Sequence, residues 1–168
     1  MSEDEWTQNI KKMKEREKEI DAVGEAKRKE WEELKEKHKD EATKIIDLLN
    51  SELKKVLTVY EDSSLKKYDK PKVEGDNRYV KLDIPIVRGG SYYSFGISFW
   101  LKLTEKGYGL DVVKSTFLTR DSTPHEDKTY IPPLVTAIAI RKEVTEVLQA
   151  RNESIRIMTE QEDRYRKQ

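Results

Sequence analysis

The stretch YVKLDIPIVRGGSYYSFGISFWLKL, residues 79–103, decides the fold, because apolar and polar side chains alternate on both sides of a Gly-Gly pair. Glycine at both positions of a two-residue turn allows the positive φ angles that a tight β-hairpin needs. If Arg88 faces Ser91, apolar residues pair throughout: Ile86 with Tyr93, Ile84 with Phe95, Leu82 with Ile97, and Val80 with Phe99. A slip of one residue would move all of them to the other face. The stretch therefore predicts an antiparallel hairpin in this register.

A third strand follows the hairpin. A turn at Lys106-Gly107 gives two further apolar pairs, Leu103 with Leu110 and Leu101 with Val112. Lys114 and Thr116 interrupt the apolar side of this strand, so we expect a β-bulge or a twist near Val113. The sequence thus predicts a three-stranded antiparallel β-meander over residues 78–119. Polar segments at 61–77 and 120–133 are predicted to be a connector and a loop.

A long N-terminal helix is predicted from Glu3 to about Tyr60, a stretch that contains no proline. Alternating steps of four and three residues trace a narrow apolar seam along its first part, of the kind that coiled coils use. The seam residues are Trp6, Ile10, Met13, Ile20, Trp31 and Leu34. From Ala42 onward the apolar face widens, which is typical of a helix that packs on a sheet.

The last helix is predicted to begin after Ile131-Pro132-Pro133 and to run nearly to the C-terminus. Its apolar face is also wide at first and narrows to a seam after Leu148. We therefore expect an α+β fold in which the two long helices form an antiparallel coiled-coil stalk beneath a small α/β head. The predicted divisions are a stalk and oligomerisation helix at 1–41, the head at 42–148 and a C-terminal stalk helix at 149–168.

The two predicted seams differ in length, which bears on oligomerisation. The C-terminal seam offers roughly 20 residues against roughly 35 in the N-terminal seam, and an isolated helix that buries nothing is marginally stable. About the first 20 residues therefore lack a partner in their own chain. We expect a homo-oligomer. The alternatives are pairing with another protein, a charged helix that frays, and a helix that folds back at Gly24.

Composition excludes several classes of function. The 168 residues include 33 basic and 33 acidic side chains and no cysteine, so thiolate catalysis and disulfide frameworks are excluded. The two histidines, His38 and His125, lack the spacing of a metal site. We predict no enzyme, no catalytic residue, no metal and no cofactor. The acidic N-terminus and the lack of a long apolar run predict a cytoplasmic protein without membrane association. The abundance of Lys and Glu is typical of thermophilic proteins and equally of long charged helices.

The second face of the predicted sheet carries an aromatic stripe. The predicted register sets Tyr79, Trp100 and Val113 side by side, with Phe117 beyond them. Lys81 and Lys102 flank this stripe. An exposed patch that contains Trp and Tyr is typical of surfaces that bind protein partners. The same rings could stack on nucleotide bases, or the connector or a second subunit could cover them as ordinary core.

We therefore expect a non-enzymatic assembly, adaptor or chaperone-like protein. It would oligomerise through its helical stalk and bind a protein partner through the sheet face. The alternative is a nucleic-acid-associated protein that uses the aromatic and basic residues of the same face.

Overall fold

The computed structural model describes residues 1–62, 64, 70–88, 90–118 and 123–168, and of residues 117, 118, 123 and 124 it describes the backbone alone. The fold is mixed α+β. In chain order, its elements are α1 (Glu3–Lys37), α2 (Lys39–Tyr60), β1 (Lys72–Gly75), β2 (Tyr79–Asp83), β3 (Ile86–Arg88), β4 (Ser91–Tyr93), β5 (Gly96–Thr104), β6 (Gly107–Leu118), β7 (Thr123–Ile131) and α3 (Ala137–Arg166).

The chain divides into two compact units, Met1–Lys39 and Asp40–Gln168. The first unit is essentially α1, which begins with a capping box: the Glu5 amide donates to Ser2 Oγ and the Ser2 amide donates to Glu5 Oε2. The predicted uninterrupted helix to Tyr60 is wrong at one point, because α1 ends at Lys37 and its C-cap His38 has a φ of −104° and a ψ of 11°. The amide of His38 still donates to the Leu34 carbonyl at 3.1 Å, so the interruption is a single residue that leaves no mark in the apolar pattern.

The predicted register of the hairpin is confirmed. Val80 faces Phe99, Leu82 faces Ile97, and Ile86 faces Tyr93. Gly90 has a φ of +79°, as the turn requires, whereas Gly89 lies outside the described residues. The pairing keeps apolar side chains together on one face, which is why the sequence alone specifies it.

The hairpin is nevertheless split into two sheets at Pro85. Proline has no N–H to donate to a strand ladder, and the pairing of β2 with β5 stops before it while β3 and β4 form a separate two-stranded sheet. The Ile84 amide still donates to the Phe95 carbonyl at 2.7 Å. On the other side, the Arg151 guanidinium of α3 donates to the carbonyls of Ile84 and Pro85, both at 3.1 Å. The carbonyls of Ile84 and Pro85 thereby receive donors although the strand ladder is interrupted.

The predicted register of the second turn is wrong by two residues. Thr104 faces Gly107 across a turn at Glu105-Lys106, so Leu101 faces Leu110 and Leu103 faces Tyr108. The Thr104 hydroxyl donates to the Gly107 carbonyl at 2.7 Å, and Gly107 takes a φ of +114°, which favours glycine. Because a shift of two residues keeps each side chain on its face, the division between core and surface is unaffected.

No bulge occurs near Val113, because the pairing of β5 with β6 runs without interruption from Thr104 and Gly107 to Gly96 and Ser115. Lys114 instead lies buried on the apolar side of the sheet. Its Nζ contacts Glu143 Oε2 at 2.6 Å and also contacts Glu146 Oε2, both from α3. The positive charge of Lys114, which was predicted to interrupt the strand, is therefore compensated by two carboxylates of α3.

The predicted number of strands is wrong, since the main sheet has five antiparallel strands in the order β1-β2-β5-β6-β7. β1 lies inside the predicted connector 61–77, and β7 occupies most of the predicted loop 120–133, of which residues 120–122 lie outside the described residues. Both additional strands are edge strands. Edge strands tolerate polar side chains on both faces, so they lack the apolar alternation that identified β2, β5 and β6.

The core lies between one face of the five-stranded sheet and the helices α2 and α3. Its fully buried members include Leu49, Leu53, Leu82, Ile97, Phe99, Leu110, Val112 and Ile140. Further along α3, Met158 joins Ile86 and Phe95 in a smaller cluster. Part of the segment 149–168, which the sequence analysis assigned to a stalk, therefore also contributes to the packing of the second unit. α3 begins at Ala137, later than predicted, with Thr136 as its N-cap.

Candidate functional site

The outer face is the side of the five-stranded sheet that points away from α2 and α3. Cross-strand pairing of β2, β5, β6 and β7 sets four of its residues in one row, namely Tyr79, Trp100, Asp111 and Tyr130. Trp100 and Tyr130 keep 44% and 43% of their surface exposed. Within the described part of the chain, this aromatic row is therefore open to a partner.

Tyr79 and Trp100 form a stacked pair at one end of the row. Their ring centroids lie 4.4 Å apart with an interplanar angle of 19°. The Trp100 indole donates from Nε1 to Ser98 Oγ at 3.2 Å. An aromatic pair of this kind stabilises a fold by about 0.5–1.5 kcal/mol beyond simple burial, so both rings are held in place before any partner binds.

Tyr130 lies at the other end of the row, over Gly109. A Cβ atom added at Gly109 would lie 2.6 Å from Tyr130 Oη and 2.9 Å from Cε2. Any larger residue at this position would therefore clash with the Tyr130 ring. Lys102 Nζ lies 5.3 Å from the centroid of this ring and 3.7 Å from Asp111 Oδ1. Lys102 was predicted to flank the stripe, and its charge lies between a carboxylate and an aromatic ring.

Val113 is not beside Trp100, which corrects the predicted stripe. The two-residue shift at the second turn sets Asp111 opposite Trp100 and sets Val113 opposite Ser98, in the row that also contains Lys81. The backbone of Phe117 pairs with Pro124 of β7, and its side chain lies outside the described residues. Of the six predicted face residues, Tyr79, Trp100, Lys81, Lys102 and Val113 thus share the outer face in a rearranged order.

Lys128 and Tyr130 of the outer face were missed because β7 was interpreted as a loop. Lys128 pairs with Val113, and Tyr130 pairs with Asp111. The available signal was the short alternation that ends in Tyr130-Ile131, in which Tyr130 points outward and Ile131 is buried. Its charged neighbours made that alternation too weak to separate from a polar loop.

The chain matches no protein-family model, no curated protein and no solved structure. Function is therefore inferred from the residues themselves.

A groove of about 450 Å³ between α2 and α3 contains a buried carboxylate. Glu52 is buried there and accepts two hydrogen bonds from Arg141, at 2.7 and 3.1 Å, and one from Lys55 at 2.9 Å. The hydrogen bonds from Arg141, followed by that from Lys55, lower the pKa of Glu52 to about 2. A carboxylate that is ionised and paired in this way is not poised for proton transfer near neutral pH, so the groove has the character of a structural ion pair.

Metal and membrane sites receive no support from the described residues. Among them, no three His, Asp or Glu side chains are grouped closely enough to bind a metal ion, and His125 Nε2 contacts Asp127 Oδ1 at 3.2 Å on the surface. No described helix combines the length and the apolar character needed to cross a bilayer.

The predicted seam of α1 is exposed. Trp6, Ile10, Met13, Ile20 and Trp31 keep between 43% and 71% of their surface accessible, and Leu34 is half-buried. Val23 joins them as a sixth exposed large apolar side chain of the helix. This second apolar surface is carried by the first unit.

Proposed function

We propose that this chain is a non-enzymatic assembly or adaptor protein that binds a protein partner through its outer face and self-associates through α1. A chaperone-like clamp belongs to the same class. The observation that carries the proposal is the exposed aromatic row, in which the Tyr79–Trp100 stack and Tyr130 are fixed in place and left uncovered by the described residues. A cytoplasmic location remains part of the proposal.

The chemistry of the outer face favours a protein partner. Trp and Tyr dominate binding energy at protein interfaces, where an apolar centre is surrounded by a polar rim. Here Trp100 and Tyr130 provide the apolar area, and Lys81 and Lys128 provide polar groups around it. Because the rings are already ordered, binding loses little side-chain entropy.

Self-association is assigned to α1 alone. The sequence analysis paired α1 with the end of α3 in a stalk, but Met158 of that segment is buried with Ile86 and Phe95. We therefore retain the oligomerisation seam of the prediction and assign its partner to another copy of the chain.

Nucleic-acid binding is the second candidate. It is favoured by the exposed Trp100 ring and by three lysines on the same face, Lys81, Lys102 and Lys128. The Asp111 carboxylate beside Lys102 weakens this candidate, because it offsets part of the charge that phosphates would require.

The test is a comparison of Trp100→Ala with the wild-type chain and with Tyr165→Ala, a matched control that removes an exposed aromatic ring from the end of α3. Immobilised protein is cross-linked in cell extract, and the captured proteins are quantified by mass spectrometry. We expect a set of proteins retained by the wild type and by Tyr165→Ala and lost with Trp100→Ala. Equal capture by all three would overturn the proposal.

Two further measurements keep the result interpretable. Trp100→Ala should lower the free energy of unfolding by no more than about 2 kcal/mol, whereas Phe99→Ala, its fully buried neighbour, should cost about 3–5 kcal/mol. Binding to a fluorescent single-stranded oligonucleotide is titrated at several salt concentrations. Tight binding that weakens steeply with salt and is lost in Trp100→Ala would support the second candidate and overturn the first.

A further inference from the structure

α1 is a long helix whose large apolar side chains are exposed in the part of the chain that the structure describes. Its 35 residues span about 52 Å at 1.5 Å per residue, and none of them is buried. Six large apolar side chains nevertheless lie exposed along it, namely Trp6, Ile10, Met13, Ile20, Val23 and Trp31. Most helical stability in proteins comes from the packing of an apolar face, so this helix requires a partner surface of similar length.

We infer that the partner is α1 of a second copy, paired antiparallel about a twofold axis near Ala22. This inference rests on the self-association in the proposed function and specifies its orientation and register. In an antiparallel coiled coil, each seam residue faces a seam residue of the other helix, and the two numbers have a constant sum. With a sum of 44, Ile10 faces Leu34 of the second copy, Met13 faces Trp31, Glu17 faces Lys27, and Ile20 faces Gly24.

The polar residues of the seam determine this register. Glu17 and Lys27 are the two charges within the apolar row, and only their mutual pairing places opposite charges at one layer. The twofold axis repeats the pair, so both charges of both copies are matched. Gly24, where an added Cβ would meet nothing within 4 Å, leaves space for Ile20 of the other helix.

The residues that flank the seam on one side are also complementary. They are not seam residues, and in the same register they meet at positions whose numbers sum to 46. Val23 meets Val23 of the second copy at the axis, and Arg16 meets Glu30. On the other flank Lys14 approaches Arg28, and Asp21 meets Asp21 of the second copy at the axis; these like-charge pairs lie outside the seam, at exposed positions where the repulsion is weak. Arg28 has a counterion within its own helix, Glu25, at 3.6 Å.

Other arrangements of the two helices bury unmatched charges. A parallel pair sets Glu17 against Glu17 and Lys27 against Lys27 inside the seam. An antiparallel pair shifted by one heptad sets Ile10 against Lys27 and Glu17 against Ile20. A charge that is buried without a partner is strongly unfavourable, and the register with a sum of 44 avoids it.

A charge-reversal series on the full chain tests the register. The dimer dissociation constant is measured by sedimentation equilibrium for the wild type, Glu17→Lys, Lys27→Glu and the double variant. Each single change sets like charges against each other in two layers, so we expect dimerisation to weaken by about tenfold or more, and the double variant to recover it. Glu15→Lys and Lys29→Glu make the same charge changes on the opposite side of the helix, and they should leave the constant unchanged.

Disulfide trapping tests the orientation, and it is practicable because the chain has no cysteine of its own. In the inferred dimer, Val23→Cys lies near its own copy and should cross-link on oxidation. Ile10→Cys lies 24 positions from its copy, or about 36 Å along the axis, and should not cross-link. A parallel dimer would cross-link readily at Ile10→Cys.

The outcomes separate the inference from the proposed function. A dimer that cross-links at Ile10→Cys, or that is not restored in the double variant, overturns the inferred pairing and leaves self-association in place. A chain that stays monomeric at all concentrations overturns both the pairing and the self-association. Partner binding by the outer face is tested separately, by Trp100→Ala.

Discussion

Replacing Lys114 by methionine removes a buried cation and leaves its two carboxylates in place. The Lys114 side chain is only 8% exposed, and its Nζ contacts Glu143 and Glu146 of α3. Glu143 is 13% exposed and also accepts a hydrogen bond from Thr129 Oγ1 at 3.3 Å, whereas Glu146 is 47% exposed. Methionine keeps most of the aliphatic length, so the change acts mainly through charge.

The magnitude follows from the unequal exposure of the two carboxylates. Removal of one partner from a buried ion pair costs about 3–5 kcal/mol. Glu146 regains water easily, so most of the penalty falls on Glu143, and we expect a loss of about 2–4 kcal/mol in the free energy of unfolding. Lys114→Met combined with Glu143→Gln removes the unmatched charge as well, and should recover about half of that loss.

The pH range of the measurement follows from the pKa of Lys114. Burial lowers this pKa, but the hydrogen bonds that Lys114 donates to the Glu143 and Glu146 carboxylates outweigh it, and the net effect is a rise above the usual 10.5. A raised lysine pKa contributes stability that is fully present below 10.5 and is lost only as the pH rises through the raised value. The whole contribution of Lys114 is therefore present at pH 7.

The assay is urea unfolding at pH 7, followed by the fluorescence of Trp100 in a Trp6→Phe, Trp31→Phe background. The two other tryptophans lie in the first unit, and their removal restricts the signal to the sheet. Lys128→Met, at an exposed position of the neighbouring strand, is the control and should change stability by less than about 0.5 kcal/mol. If Lys114→Met also loses less than about 1 kcal/mol, the buried ion cluster is not a determinant of stability and our reasoning is wrong.

Two further changes test other buried polar groups. Arg151→Met leaves the carbonyls of Ile84 and Pro85 without their donor, and we expect a loss of about 2–3 kcal/mol, with faster hydrogen exchange in β3 and β4 than in β5 and β6. Glu52→Gln should be less stable than the wild type by about 1–2 kcal/mol at neutral pH, a value reduced for the exposure of Arg141. Because the pKa of Glu52 is lowered from 4.5 to about 2, this advantage is present above pH 4.5 and declines as the pH falls towards 2, which thermal melts across that range would show. An unchanged difference between the two chains at low pH would count against the ion pair.

The sequence predicts those parts of the fold in which the turn residues and the apolar pattern of the strands specify the same pairing. Gly90 with its positive φ, and apolar alternation on both sides, determined the pairing of Val80 with Phe99 and of Ile86 with Tyr93. A slip of one residue in that hairpin would have set the core residues of one strand against the surface residues of the other. The core face and the two-faced character of the sheet were therefore predictable from the residues alone.

The errors occur where the core gives no such constraint. A shift of two residues in the second turn keeps every side chain on its face, so only the local contact of the Thr104 hydroxyl with Gly107 distinguishes the two registers. β7 is polar on both faces along most of its length because it is an edge strand. Lys114 resembled an interruption because its counterions, Glu143 and Glu146, lie about 30 residues further along the chain, and a pattern within one strand does not include them.

The sequence was enough to predict residues that share the outer face, but not which of them are neighbours. The alternation placed Tyr79, Trp100 and Lys102 on one side of the sheet, which the structure confirms. The neighbours of those residues depended on the register of β6 and on the existence of β7, and both were wrong. Tyr130, which completes the aromatic row, could not be placed without β7.

The two surfaces reinforce each other if both proposals hold. A dimer formed through α1 presents two outer faces, and a partner with repeated sites then binds the second face at a high effective concentration. Each single contact through Trp100 and Tyr130 need only be weak. The charge-reversed variant Glu17→Lys, which leaves the outer face unaltered, should therefore bind a repetitive partner more weakly than the wild type does, while its affinity for a single site is unchanged. If Glu17→Lys also lost affinity for a single site, α1 itself would contact the partner. The weaker binding would then reflect a direct contact by the helix and not the loss of avidity.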